Sequence, residues 1–373
     1  MAAGAEAAVG DRVGLGWRAD LAAGILGSLD RVDLVEVIAD DWVDLPRRKR
    51  RALGTLAAQV PVVLHGVGLG LASAEPVAER RLAAFARLVS EAGVERWSEH
   101  LAFVRGGGVE IGHLAAPPRT DSTLDGAAKN ILRAARVIGA LPEVENVATL
   151  IDPPGSDRDE LAWISGVLAA SGAAMLLDLH NLHANAVNFG FDARAFLDRF
   201  PLERVRTIHL AGGRWIRAPG GGSRLLDDHQ HAVPPEVYEL LAYVAARAPQ
   251  PLDVILERDG RFETVAPLLA ELDRARSVLA LARAAPVART FAEASAAGGS
   301  RAKSCGEADS RLTGFLARLY VDEDLRRRFL ADPRAESRRE RLADHESNAL
   351  EGIDRDGLAL AAASFARKRA TAR

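Results

Sequence analysis

Eight parallel strands alternating with helices and closed into a (β/α)8 TIM barrel, followed by a small all-helical module, is the α/β architecture this sequence predicts. Two observations carry it. Apolar runs of strand length alternate with amphipathic helical patterns eight times, with mostly short connections. Many of these runs also end in residues that can bind a metal, and strands wound in this way bring their carboxyl ends together on one face. An open doubly wound sheet is the competing arrangement, but it would need a Gly-rich phosphate loop after the first strand, which is absent here.

The strand-length runs fall at Val13 to Leu15, Leu34 to Ile38, Val62 to Leu64, Arg96 to Ser98, Pro142 to Val144, Ala174 to Leu177, Val205 to Ile208 and Val254 to Leu256. Between them, sets such as Leu82, Phe85, Leu88 and Val89, or Val237, Leu240, Leu241 and Val244, repeat at the three- and four-residue spacing of one helix face. Asp157 with Glu160, ahead of LAWI, reads as a capping box. After the seventh run the stretch from His209 to Pro235 is a long loop rich in Gly, Asp and His, and loops of this length on the carboxyl face tend to carry function. An Ala-, Gly- and Ser-rich stretch then reads as a linker. Beyond it Leu312, Phe315, Leu316, Leu319 and Tyr320 form a helical stripe that Leu325, Phe329 and Leu330 continue. The expected division is therefore a barrel over residues 1–285, a linker over 286–310 and a helical module over 311–373.

Composition narrows the function. A net charge of −3 offers no basic excess for a phosphate backbone, so nucleic acid is not an expected partner. The first dozen residues lack the basic start and apolar core of a signal peptide, and no apolar stretch approaches the roughly 18 residues of a membrane span. These features point to a soluble, cytoplasmic protein without a membrane partner. Cys305 is the single cysteine, which excludes an internal disulfide framework and a thiolate-based metal site. Any metal must be held by His, Asp, Glu and Asn.

Such residues are present in excess. His65, His100, Glu145, Asp178, Asn181, His209 and Glu257 end or follow the apolar runs, and Asp227 and His229 lie in the long loop. Imidazole and carboxylate together suit iron, manganese and zinc. A single ion that keeps a position open uses about three or four protein groups, so these nine would serve two or three ions, with Glu145 placed to bridge a pair. One strand-end His is most often a hydrogen-bonded core residue. Nine suitable groups in one cluster are hard to explain that way, because burying so many charges without a metal is unfavourable. Glu36, Asp40 and Asp41 end the second run and fit either hydrogen-bond partners of the ligands or surface positions. His113 reads as structural in a Pro-rich loop, His345 as solvated, and Cys305 as an incidental thiol.

At these residues the chain resembles the multinuclear non-haem iron-dependent oxidative enzymes typified by the methanobactin-biosynthesis oxidase, also known as UPF0276. The resemblance rests on LHGVGLGLAS around His65, SEHLAF around His100, Glu145 with Asn146, LLDLHNLHANAVNFGFD around Asp178, IHLAGG around His209, DDHQHAV with Asp227 and His229, and ILERDG around Glu257. It implies a TIM barrel holding two or three iron ions as mixed Fe(II)/Fe(III), with dioxygen as co-substrate. It also implies oxidation of a ribosomally made precursor peptide at a cysteine, with the same nine residues as ligands and Glu145, Asp178 and His209 at the reacting centre. Members of this family often work with a separate peptide-presenting protein, which the helical tail would replace or dock. Two departures stand out. His180 and His183 occupy positions where the family commonly has Asn and an aromatic residue, and Asp40-Asp41 replaces its usual Glu-Asn pair. On the residues alone, a zinc- or manganese-dependent isomerase or phosphoester hydrolase and a non-catalytic maturation scaffold remain alternatives.

Overall fold

A computed structural model describes residues 10–262, 264–285 and 307–371. Most of the expected linker, including Cys305, lies outside the described residues. The strands are β1 (Arg12–Gly16), β2 (Val35–Ile38), β3 (Val62–Gly66), β4 (Arg96–His100), β5 (Phe103–Gly106), β6 (Val109–Ala115), β7 (Glu143–Glu145), β8 (Ala174–Asp178), β9 (Val205–Leu210), β10 (Arg214–Arg217), β11 (Ser223–Leu226) and β12 (Asp253–Leu256). Eight of them close in the order β1-β12-β9-β8-β7-β4-β3-β2, and every pairing in the barrel is parallel. The eight expected runs are these barrel strands. The other four pair as antiparallel hairpins, β5 with β6 and β10 with β11.

The helices are α1 (Ala22–Leu26), α2 (Arg47–Ala57), α3 (Glu79–Ala92), α4 (Asp121–Ile138), α5 (Glu160–Ser171), α6 (Leu179–Phe189), α7 (Ala193–Arg199), α8 (Pro235–Arg247) and α9 (Ala266–Ala284) around the barrel. They are followed by α10 (Glu307–Val321), α11 (Glu323–Ala331), α12 (Pro333–Arg339), α13 (Asp344–Glu351) and α14 (Arg355–Thr371). The main core lies between strands and outer helices, where Leu82, Phe85 and Leu88 of α3 and Val237, Leu241 and Val244 of α8 are buried. The cap of α5 differs from the expected one. Asp159, not Asp157, accepts the amide of Ala162 at 2.7 Å, because the helix starts at Glu160 and needs its cap one residue earlier.

Side chains two apart on a strand share a face, so the barrel interior is layered. Glu143 and Asp253 form the floor, with Arg12 and Arg96 beside them. Leu34, Val63 and Ile255 form an apolar layer above it. Two residues further along the same strands come Glu36, His65 and Glu257, joined by Glu145, two residues after Glu143, and by His100, Asp178 and His209, all buried. The alternation that buries the apolar middle layer thus also aims these polar groups inward.

The two hairpins rise over this carboxyl face, and the C-terminal helices pack on them. Leu312, Phe315, Leu316 and Phe365 form one apolar cluster with Phe103 and Ile111 of the β5–β6 hairpin and Leu226 of β11. The tail is helical as expected, and α10 begins within the expected linker.

Candidate metal centre

Four of the candidate side chains are held from behind by a neighbour. The His65 ring places Nδ1 2.8 Å from Ser98 Oγ, which turns Nε2 toward Glu145. His100 Nδ1 lies 3.3 Å from the carbonyl of Gly66, again leaving Nε2 for Glu145. His209 Nε2 meets Glu36 Oε2 at 2.9 Å, so its Nδ1 faces Glu257 at 3.2 Å and Glu145 at 3.6 Å. Asp178 caps α6 by accepting the amide of Asn181 at 2.7 Å through Oδ1, which leaves Oδ2 for the interior. The Asn146 side chain fixes the Asp178 backbone on both sides, at 2.9 and 3.0 Å. Such partners set the ring orientation of a metal-binding imidazole and the aim of a carboxylate.

Glu145 is the centre of the arrangement. Its Oε2 lies 3.3 Å from His65 and 3.2 Å from His100, while Oε1 lies on the His209 side. Two sets of potential ligand atoms share it, each within 4.8 Å: His65, His100 and Glu145, and Glu145, Asp178, His209 and Glu257. The loop contributes His229, whose ring lies 3.2 Å from Glu257 and 2.8 Å from Asp227. His229 has a left-handed backbone with φ of 54°, a conformation uncommon outside Gly and often found at functional sites. Asn181 lies beside Glu145, its amide nitrogen 3.4 Å from Oε1. All nine candidates therefore face one region.

The charges within this region are strongly coupled. Burial pushes the Glu145 carboxyl up, but His100, His209 and His65 together hold it below its usual range. Burial, Asp227 and Glu145 push Asp178 up to about 7. Burial works against protonation of His100, yet Glu145 and Glu99 raise it to about 9. In the protein alone, protons thus occupy places a cation would take.

The donor set fits a metal. Five buried atoms of candidate ligands, Glu145 Oε2, Asp178 Oδ2, Asn181 Oδ1, His209 Nδ1 and His229 Nε2, make no hydrogen bond of good geometry, and neither do three on the floor, Arg96 Nε and both Glu143 oxygens. Buried polar atoms are normally paired, so the five of the candidate ligands are what a cation would satisfy.

Some positions differ from the sequence reading. Glu36, left open between a ligand partner and the surface, is 1% exposed and bonded to His209. Ser98 was not singled out, although alternation from His100 places it on the same inward face. His180 packs its Nδ1 2.7 Å from Asp227 and is fully buried. Glu99 points away from the centre and accepts the amides of Leu69 and His100, both at 2.9 Å. His113 lies in β6 rather than a loop, and it lines a cavity of about 310 Å³ with His65, His100, Asp227, His229 and Glu257. His345 is exposed, as expected.

The model of one protein family, the RiPP precursor modification enzymes MbnB/TglH/ChrH, matches residues 12–280. This chain belongs to that family. A UPF0276 protein of Streptomyces avermitilis is 36% identical over 274 residues, covering 71% of this chain and 54% of the relative. The chain thus spans about half the length of that relative. A UPF0276 protein of Bordetella bronchiseptica is 34% identical over 269 residues, covering 72% of this chain and 93% of the relative. More distantly, the chain is similar to the solved xylose isomerase domain protein from Planctomyces limnophilus, at 14% identity and a TM-score of 0.47 over 74% of this chain and 98% of the other. An L-ribulose 3-epimerase gives 14% identity and a TM-score of 0.45 over 73% and 96%. The chain is thus a member of a family of RiPP-modifying enzymes, and its buried His, Asp and Glu clusters could hold metal ions.

Proposed function

We propose that this enzyme uses two or three iron ions, as mixed Fe(II)/Fe(III), and dioxygen to oxidise a cysteine of a ribosomally made precursor peptide. The observation that supports a coupled centre is the position of Glu145, whose two oxygens face two separate ligand groups. His65 and His100 would complete one ion's surroundings, and Asp178, His209 and Glu257 a neighbouring one. Asn181, Asp227 and His229 would complete the set toward the cavity. Bound iron supplies one-electron chemistry with dioxygen and a site for the substrate thiolate.

The chain's own part is orientation and charge. Glu36 and Ser98 hold the rings of His209 and His65 so that one nitrogen of each faces inward. The carboxylates offset cationic charge above the apolar layer of Leu34, Val63 and Ile255. Asp178, buried in the cluster with Glu145, His209 and Glu257 and with its carboxyl raised to about 7, can exchange a proton near neutrality until a cation displaces it. The division at residues 285 and 310 belongs to the same proposal, with the barrel carrying the chemistry. The test is oxygen consumption and mass change of a cysteine-containing precursor peptide from the neighbouring genes. Activity with iron and none with zinc is expected, and the reverse would favour hydrolytic or isomerase chemistry.

A further inference from the structure

The cavity above the metal centre has two unlike sides. Its base is polar, with His65, His100, Asn181, Asp227, His229 and Glu257. Its roof includes Leu114 and Ala115 of β6, Leu225 and Leu226 of β11, and Tyr320, Ala361, Phe365 and Lys368 of the C-terminal helices. At about 310 Å³ it lies near the small end of the roughly 300–1,000 Å³ of ligand pockets, so a ligand that fills it touches both sides.

The roof is held in place by contacts between the hairpins and the C-terminal helices. Gly107 and Gly314 let α10 approach the β5–β6 turn so closely that a Cβ on either would lie 3.1 to 3.2 Å from the other's backbone. Arg369 Nη1 donates to the carbonyl of Ile111 at 2.8 Å, tying α14 to β6. On the opposite side, the amide of Gly220 donates to Asp356 at 2.9 Å, and Arg224 pairs with Asp354 at 3.1 Å, tying the start of α14 to the β10–β11 hairpin. The C-terminal helices therefore span from one hairpin to the other, across the mouth of the barrel.

Within the roof the rings form a chain. The Phe365 ring centroid lies 4.5 Å from that of His113 and 5.0 Å from that of Tyr320. Burial and the nearby Lys368 hold His113 neutral near pH 7, with its proton affinity lowered to about 3, so it joins this wall as an aromatic ring and not as a cation.

We infer that Phe365, Tyr320 and His113 are specificity-determining residues, forming an aromatic wall that receives an apolar or aromatic group attached next to the substrate's metal-binding thiol. The inference rests on the metal-thiolate reading above and adds what flanks the thiol. An apolar flank on the roof and a thiolate at the base match the two sides of the cavity. A flank set against these rings loses less on desolvation if it carries no charge.

The test uses the full chain, loaded anaerobically with iron, and two small thiols as probes, benzyl mercaptan and 2-mercaptoethanol. Each is titrated while the thiolate-to-metal charge-transfer absorption is followed. Burying a benzyl ring against an apolar wall predicts about tenfold tighter binding of benzyl mercaptan. Phe365→Ala should lower this preference at least threefold, and Phe365→Leu, which keeps an apolar wall, should retain most of it. Because Phe365 also contributes to the core, iron content and circular dichroism of each variant are measured alongside. Gly314→Val, which moves α10 without touching the cavity, should also lower the preference. Thiol absorption with an unchanged preference in Phe365→Ala and Gly314→Val overturns the wall and leaves the metal reading standing. Absence of absorption with both thiols overturns the metal-thiolate reading and the wall with it.

Discussion

Glu143 and Glu145 lie two residues apart on β7, point into the same barrel and are both buried, yet their surroundings are opposite. Glu143 belongs to the floor, where fixed cations meet the acids. Its Oε1 lies 3.1 Å from Arg96 Nε, Arg12 grips Asp253 at 2.7 and 2.8 Å, and Arg96 also pairs with Asp253. Glu145 belongs to the upper layer, where acids meet imidazoles and other acids. The arginine that approaches is Arg18, 2.5 Å from Asp259 and 3.9 Å from Glu257 at the rim. Guanidinium is charged at every relevant pH and supplies a fixed counter-charge, whereas imidazole can give up its proton to admit a metal. The floor thus carries its own cations, and the upper layer is a cluster that could take one from outside. Polar groups at the carboxyl end of barrel strands read as functional and those at the amino end as stabilising, in keeping with this contrast.

The sharpest way to break the contrast is to neutralise each glutamate alone. Glu145→Gln should lower the metal content by more than one ion's share and abolish dioxygen-dependent turnover, because it weakens a carboxylate shared by two ligand groups. Glu143→Gln should keep the full metal content and most turnover. Metal analysis and oxygen uptake on both proteins decide it, and similar metal loss in both would remove the distinction.

The next effect concerns the support of His209. Glu36→Gln should weaken metal retention roughly 10- to 100-fold, since a group that orients a ligating imidazole contributes on that scale. Chelator competition measures this, and Glu36→Gln with wild-type retention would show that the hydrogen bond is incidental. On the floor, Asp253→Asn should instead lower unfolding stability by roughly 2–4 kcal/mol, leaving two arginines short of a partner, with metal content unchanged.

The smallest effect is on pH dependence, and the two layers should respond at opposite ends. Asp253 is pulled up by burial but held lower overall by Arg12 and Arg96, so its stabilisation is present above its unfolded value and lost as pH falls through its folded one. His100 is raised from 6.5 to about 9 in the protein alone, so its stabilisation is full below 6.5 and lost as pH rises toward 9. Thermal unfolding should therefore show an acid loss with or without metal, and an alkaline loss in metal-free protein that loading suppresses. An alkaline loss of equal size in loaded protein would contradict the assignment of His100 to the metal.

The barrel was legible because its strands are short, apolar and regularly spaced. Each of the eight runs lies in a barrel strand to within a residue or two, and the alternation that buries Val63 also delivers His65. The hairpins were less legible. In β5–β6 the Pro-rich stretch after His113 masked a strand whose partner is set by tertiary contact, and the Gly-rich loop after β9 hid β10 and β11. Ser98 escaped because a hydroxyl carries no charge pattern, and the role of His180 because its partner Asp227 is 47 residues away. Nor could sequence periodicity show that the stripe from Leu312 to Tyr320 faces the barrel mouth. That placement depends on Gly107 and Gly314 meeting across two distant segments.

The central claim is that the upper layer holds a coupled set of iron ions. Its most direct measurement is elemental analysis with Mössbauer spectroscopy on the full chain, expressed with supplemented iron and purified without oxygen. The expected result is more than one iron per chain in at least two distinct environments, because the six groups of two clusters that share Glu145 exceed what one ion can use. One ion or fewer per chain, or stoichiometric zinc with no activity gained from iron, would contradict it.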